Sequence, residues 1–399
     1  MSRNIVLGVT GGIAAYKAAA LASLLVKNGY TVQAVMTKGG ESMLGPATLA
    51  AITGRTVPDS EFNPDYVARI PHIELARFAD VVAVAPATAN FLAKAACGIA
   101  DDLLTSLLLP TAAPLLLAPA MNPHMWNHPT VQHNVEILRR RGVYMVGPAT
   151  GRTACGEEGA GRMSEPEQIM EAIEDILTPK DLTGLKLVVS AGPTHEYIDP
   201  VRYITNPSSG RMGIAIARAA RRRGARVHLV MGPVGLPAPW GVSCSEVVTV
   251  EEMQAAVNEA GEDAAAIIMA AAVGDFKVET VRRHKSKKIG GPEIISFIPT
   301  TDILAELGRN KNNRVLVGFA AETQDLLNNA AAKVAKKNLD FIVANDISLP
   351  GSGFAGDTNQ VSILDASGQV ERLEMMSKYR LAGHILDRVA ALIRQKSAS

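Results

Sequence analysis

The same local pattern opens this chain twice, and no other feature restricts its fold as much. Residues 4–17, NIVLGVTGGIAAYK, read as a short apolar strand, a Thr10-Gly11-Gly12 turn and the start of a helix. Residues 187–214, LVVSAGPTHEYIDPVRYITNPSSGRMGI, begin as a buried strand from Leu187 to Ala191. They continue as a long polar loop and open a helix at Ser209-Gly210-Arg211-Met212-Gly213. A strand that hands the chain to a helix start gathers free backbone N–H groups, which favour an anion such as phosphate. The pattern predicts an α/β chain of two Rossmann-like, doubly wound parallel-sheet domains in tandem. A length of 399 residues suits two domains. The short polar stretch 178–186, TPKDLTGLK, supplies a boundary, giving domains 1–186 and 187–399.

In the first half, two further strands end in small or polar residues. Asp80 to Ala85 leads into Pro86-Ala87-Thr88-Ala89-Asn90, and LLLAPAMNPHMW at 115–126 leads into Pro119-Ala120-Met121-Asn122. An open parallel sheet places its ligand beyond such strand ends. The opening turn is not GxGxxG, and the second strand ends in Thr37-Lys38 rather than an acid, which argues against NAD. His72 precedes the Asp80 strand. His124 and His128 lie between Pro123 and Pro129 without an evident third ligand, so they are not read as a metal site. Residues 147–164, GPATGRTACGEEGAGRMS, hold five glycines and read as a mobile loop rather than an element, a lid carrying Cys155 as a thiol or acid.

In the second half, ITNPSSGRMG lacks the Walker lysine, so it is not a P-loop, yet it brings Ser208, Ser209 and Gly210 to a helix start. The run Arg221-Arg222-Arg223 reads as a solvated helix end. A strand and small-residue loop carry Asp275, and Lys285, Lys287 and Lys288 follow, a grouping suited to a triphosphate and Mg²⁺. A hairpin is expected around Ala366-Ser367-Gly368, and a helix closes the chain.

TGGIAAYK, HIELARFAD, PATAN, PAMNPHMW and ACGEEGAGRM resemble the homo-oligomeric flavin-containing cysteine decarboxylases. The resemblance implies FMN on the loops, at Gly11, Gly12, Ile13, Thr37, Thr88, Ala89 and Asn90, and catalytic roles for His72, Asn122 and Cys155. It assigns the substrate carboxylate to Asn122 and the final proton to Cys155. AGPTHEYIDPVRYITNPSSGRMG, AAAVGDF, KSKK, GFAAET and KKNLDFIVAND resemble the phosphopantothenate–cysteine ligase domain. That likeness implies an acyl-cytidylate held by Asn206 and CTP contacts at Ala271, Asp275, Lys285, Thr301, Asp302, Ile303, Leu304, Phe319, Lys333 and Lys337. Lys285 also counts as catalytic there, and Asp275 as the metal ligand. Arg211 stands where a lysine is common in that loop, keeping the charge but not the point-donor geometry.

Together the halves resemble bifunctional bacterial enzymes of coenzyme A biosynthesis, whose substrates are 4′-phosphopantothenate, L-cysteine and CTP. The resemblance implies homo-oligomers: decarboxylase trimers or dodecamers, and ligase dimers. Two other readings stay open, a dinucleotide-dependent oxidoreductase and a regulatory binding protein. With 40 basic and 39 acidic residues, charge gives no argument for nucleic acid or a membrane surface. Pro110 and Pro114 interrupt the greasiest run, which argues against a membrane span. Three widely spaced cysteines and an N-terminus without a signal-peptide layout point to the cytoplasm.

Overall fold

The computed structural model describes residues 3–58, 70–152, 156–285, 287, 294–322, 325–346, 356 and 358–398. Cys155 and Lys288 lie outside the described residues. The chain divides into two compact units, Met1–Thr178 and Pro179–Ser399.

The first unit runs β1 (Asn4–Val9), α1 (Tyr16–Lys27), β2 (Thr31–Met36), α2 (Lys38–Met43), α3 (Pro46–Thr53), α4 (Pro71–Phe78) and β3 (Val81–Ala87). It continues with α5 (Ala89–Cys97), α6 (Leu103–Leu108), β4 (Leu115–Pro119), α7 (Pro123–Asn127), α8 (Pro129–Arg140), β5 (Tyr144–Met145), β6 (Ala149–Arg152), β7 (Glu158–Arg162) and α9 (Pro166–Leu177). The sheet is parallel, in the order β2-β1-β3-β4-β5. Alternation along β1 explains its two faces. Ile5, Leu7 and Val9 pack with α1, α3 and α9, whereas Val6 packs with α4, α5, α6 and α8. Strand order reverses between β1 and β3, so the loops after those two strands flank a crevice.

The glycine-rich segment 147–164 is more ordered than its composition suggests. Ala149–Arg152 and Glu158–Arg162 pair as antiparallel strands. Glycine serves close approach here: a Cβ on Gly161 would lie 2.3 Å from the Met121 carbonyl oxygen. The hairpin therefore leans on the loop after β4, an interaction that glycine counting alone does not reveal.

The second unit contains β8 (Lys186–Ala191), β9 (His195–Tyr197), β10 (Tyr203–Thr205), α10 (Arg211–Arg222), β11 (Arg226–Met231), β12 (Ser243–Glu246), α11 (Val250–Gly261), β13 (Ala266–Met269), β14 (Phe276–Val278), β15 (Phe297–Pro299) and α12 (Ile303–Arg309). It continues with β16 (Val315–Glu322), α13 (Leu326–Lys336), β17 (Phe341–Asp346), β18 (Thr358–Asn359), β19 (Val361–Asp365), β20 (Val370–Arg372), β21 (Met376–Ser377) and α14 (Lys378–Ala398). Its main sheet has the order β12-β11-β8-β13-β16-β17-β19-β20. The first six strands are parallel, and the β19/β20 hairpin around Ala366-Ser367-Gly368 closes one edge antiparallel. Helices α10 and α14 cover one face; α11, α12 and α13 cover the other. Order reverses between β8 and β13.

The polar loop after β8 is not wholly irregular, because β9 and β10 pair within it. The Asp199 carboxylate accepts the N–H groups of Val201 and Arg202 and holds the turn between them. Residues 179–186 pack with this unit, where Leu182 is buried in the α10/α14 core.

The arginine run at the end of α10 is not a solvated end. Arg222 is 3% exposed and Arg223 8%. Arg222 lies over the Tyr379 ring at 4.9 Å, and Arg223 forms ion pairs with Asp181 at 2.5 Å and Asp387 at 2.7 Å. These partners are distant in sequence, which is why the run alone misleads. The Arg223 guanidinium beside Asp181 holds that carboxyl below its usual range. A depressed carboxyl stabilises the fold above its unfolded pKa, and the contribution is lost as pH falls through the folded value. Arg223→Ala should lower stability by about 2–3 kcal/mol, less than for a fully buried pair because Asp387 is largely exposed. Chemical denaturation at neutral pH and near pH 3 checks this: the variant's deficit should shrink in acid.

Candidate functional site

Each unit opens a cleft at its switch point. The first has a volume of about 1070 Å³. The Thr10 hydroxyl donates to the Pro86 carbonyl at 2.7 Å and accepts from Thr88 N–H at 3.1 Å, tying the loops after β1 and β3. Thr88 and Thr37 cap α5 and α2, accepting from Phe91 N–H and Gly40 N–H. Two helix starts therefore face one space.

Gly11, Gly12, Ile13, Thr37, Thr88, Ala89 and Asn90 all line this cleft, and Asn122 joins them from the loop after β4. The Asn122 side chain accepts from His124 N–H at 2.8 Å. Its amide nitrogen donates to the Glu157 carboxylate at 2.5 Å. The Asn122 amide thus already holds a carboxylate, that of Glu157. His72, in the first turn of α4, does not line the cleft. Basic groups to which the sequence reading gave no role line it too: Lys17, Lys38, Lys94, Arg152 and Arg162. Lys17 is paired with Glu165 at 2.7 Å, and Lys94 with Asp101 at 2.7 Å. At the mouth Ile13 and Tyr16 are 70% and 65% exposed.

The second cleft has a volume of about 580 Å³. The loops after β8 and β13 are laced together. Ala272 N–H donates to the Gly192 carbonyl at 2.9 Å, Gly274 N–H to the Thr194 hydroxyl at 2.9 Å, and Ala271 N–H to the Ser190 hydroxyl at 3.1 Å. Asn206 joins this lacing, its amide nitrogen donating to the Val273 carbonyl at 3.0 Å. Asn206, Ala271, Asp275, Thr301, Asp302, Ile303, Leu304, Phe319, Lys333 and Lys337 line one cleft, although 131 residues separate the first from the last.

Asp302 caps α12 by accepting from Ala305 N–H at 3.0 Å. Burial works against its charge, but the Lys337 ammonium 2.9 Å away and the Ala305 N–H outweigh that and hold its carboxyl below the usual range. Lys285 is exposed and does not line the cleft. Asn345, Asn359 and Lys378 line it and were not anticipated; they sit on β17, β18 and the start of α14. No group of three or more His, Cys, Asp or Glu side chains converges on a metal site among the described residues. No described helix is long and apolar enough to cross a membrane.

Two families match the two units. The family described as Flavoprotein covers residues 1–178, and the DNA/pantothenate metabolism flavoprotein C-terminal domain covers residues 182–393. The chain is 45% identical to the coenzyme A biosynthesis bifunctional protein CoaBC of Bacillus subtilis (strain 168), across 99% of this chain and 98% of that protein. It is 45% identical to its namesake in Vibrio cholerae serotype O1, across 96% and 97%. For the Escherichia coli (strain K12) protein of that name the identity is 43%, across 95% and 96%. The chain therefore belongs to the family of coenzyme A biosynthesis bifunctional proteins, with a flavoprotein domain first and a pantothenate-metabolism domain second.

Proposed function

We propose that this enzyme joins 4′-phosphopantothenate to L-cysteine at the second cleft and decarboxylates the product to 4′-phosphopantetheine at the first. The observation that carries the reading is the convergence of Asn206, Asp275, Lys333 and Lys337 on one cleft of the second unit. A carboxylate forms no amide until one oxygen becomes a leaving group. Attack on the α-phosphorus of CTP gives an acyl-cytidylate and pyrophosphate, and the cysteine amine then displaces CMP. Asn206, fixed by Val273, orients the acyl group, while Lys333 and Lys337 neutralise phosphate charge. Asp275 would hold a Mg²⁺, a cation that needs only one or two protein carboxylates and would offset phosphate charge.

At the first cleft the residues fit FMN. Gly11 and Gly39 bring two backbones close enough that a Cβ on Gly11 would lie 2.8 Å from Gly39 Cα, so the floor is bare peptide at the helix starts. When bound, FMN supplies two-electron chemistry at the carbon bearing sulfur. Asn122 binds the substrate carboxylate in place of Glu157, and Cys155 donates the last proton.

His72 away from the cleft and the exposed Ile13 and Tyr16 support a homo-oligomer in which a partner subunit completes each flavin site. A cytoplasmic location accords with free Cys97 and Cys244. Light scattering joined to absorbance checks the assembly: colour should travel only with trimers or larger species, and a yellow monomer would refute it. Separate assays test the chemistry. Asn122→Ala should retain flavin, lose CO₂ release by about 10²-fold and leave pyrophosphate release intact.

A further inference from the structure

Donors that line the first cleft are held by carboxylates of the chain itself. Lys17 pairs with Glu165, Lys94 with Asp101, and the Asn122 amide nitrogen donates to Glu157. The acids differ in how firmly they are fixed. Glu165 also takes part in the capping box of α9 with Gln168, and Asp101 adjoins Asp102, the cap of α6. Glu157 lies between β6 and β7, outside both strands, and its side chain is 44% exposed. It holds the Asn122 amide from the rim, outside the cleft lining, with His124 Nε2 3.9 Å away.

The hairpin that carries Glu157 is seated independently of it. The Met121 N–H donates to the Gly161 carbonyl at 3.0 Å, and a Cβ on Gly159 would lie 3.0 Å from Pro123 Cβ. The ladder of the hairpin ends at the pair of Arg152 with Glu158. Glu157 can therefore turn away from Asn122 without breaking a ladder pair.

We infer that Glu157 is a built-in competitor for the carboxylate substrate of the first cleft. This rests on the decarboxylase reading proposed above, in which Asn122 takes the substrate carboxylate. Two carboxylates on one amide nitrogen repel each other, so binding exchanges the chain's carboxylate for that of the ligand. The apparent affinity is then the intrinsic one scaled by the fraction of molecules in which Glu157 has let go. Once CO₂ has left, nothing on the product holds Asn122, and Glu157 takes the amide back. Glu157 thus acts on the substrate and not on the product.

Titration of the flavin-loaded full-length protein tests this, read by the change in the visible flavin spectrum, which reports on the first cleft alone. The probes are the serine analogue of 4′-phosphopantothenoyl-cysteine, which has no sulfur to react, and the same molecule without its carboxylate. Glu157→Ala should tighten binding of the acid about threefold or more and leave the carboxylate-free probe within about twofold. Glu157→Gln keeps an acceptor but not the charge, and should fall between wild type and Glu157→Ala. If Glu157→Ala does not fold, as judged by its melting curve, Glu157→Gln decides on the same comparison of the two probes. Equal tightening of both probes would make Glu157 a steric obstacle and overturn the inference. Weaker binding of the acid, or no change, would overturn it equally. Asn122→Ala separates the two readings. If it binds both probes as the wild type does, the carboxylate role of Asn122 fails, and this inference with it. If it weakens only the acid while Glu157→Ala changes nothing, the inference alone fails.

Discussion

Replacing Gly11 by alanine should leave the purified protein colourless. The added Cβ would lie 2.8 Å from Gly39 Cα and 2.9 Å from the Gly39 carbonyl carbon. Both contacts are backbone, so no side chain can rotate away, and the loops after β1 and β2 must part. Those loops carry the Gly11-Gly12 turn and the Thr37 cap of α2, the floor of the first cleft. Flavin per chain should fall by about tenfold or more, since a site displaced by a fraction of an ångström loses its hydrogen-bond geometry. Gly45→Ala is the control, because nothing lies within 4 Å of its Cβ. The ratio of visible to ultraviolet absorbance reads both. Full flavin content in Gly11→Ala would mean that the cradle lies elsewhere.

Asn206→Asp should nearly abolish pyrophosphate release, lowering kcat/KM for 4′-phosphopantothenate by about 10²–10³-fold. The substitution removes the amide donor to the Val273 carbonyl. It also brings a negative charge to a cleft that must receive a carboxylate and a triphosphate. Decarboxylation of preformed 4′-phosphopantothenoyl-cysteine should continue at the wild-type rate, because that chemistry is assigned to the other unit. An equal loss of both activities would point instead to general misfolding, which a melting curve would reveal.

Local patterns carried the sequence reading furthest. Strand, turn and helix start are set by neighbours within about a dozen residues, so both openings were legible, and with them the loops that line both clefts. What escaped depends on partners far along the chain. Arg222 and Arg223 look like surface charges until Tyr379, Asp181 and Asp387 come to meet them. The β6/β7 hairpin hides behind glycines whose purpose, for Gly161, is contact with Met121. Asn359 and Lys378 lie 153 and 172 residues beyond Asn206, and no spacing rule links them. Lys285 shows the converse: its neighbourhood reads as a phosphate clamp, yet it does not line the cleft. The oxidoreductase reading left open by the fold alone gives way to the family relationship, which spans nearly the whole chain.

The central claim is that two active sites work in sequence in one chain. It is tested most directly by supplying 4′-phosphopantothenate, L-cysteine, Mg²⁺ and CTP to the purified protein and following pyrophosphate and CO₂ separately. The account predicts both products, in about equal amounts at completion because each amide formed yields one carboxylate to lose, and neither when cysteine and CTP are both withheld. Pyrophosphate without CO₂ would contradict the role given to the first cleft, and the absence of both products would contradict the account as a whole.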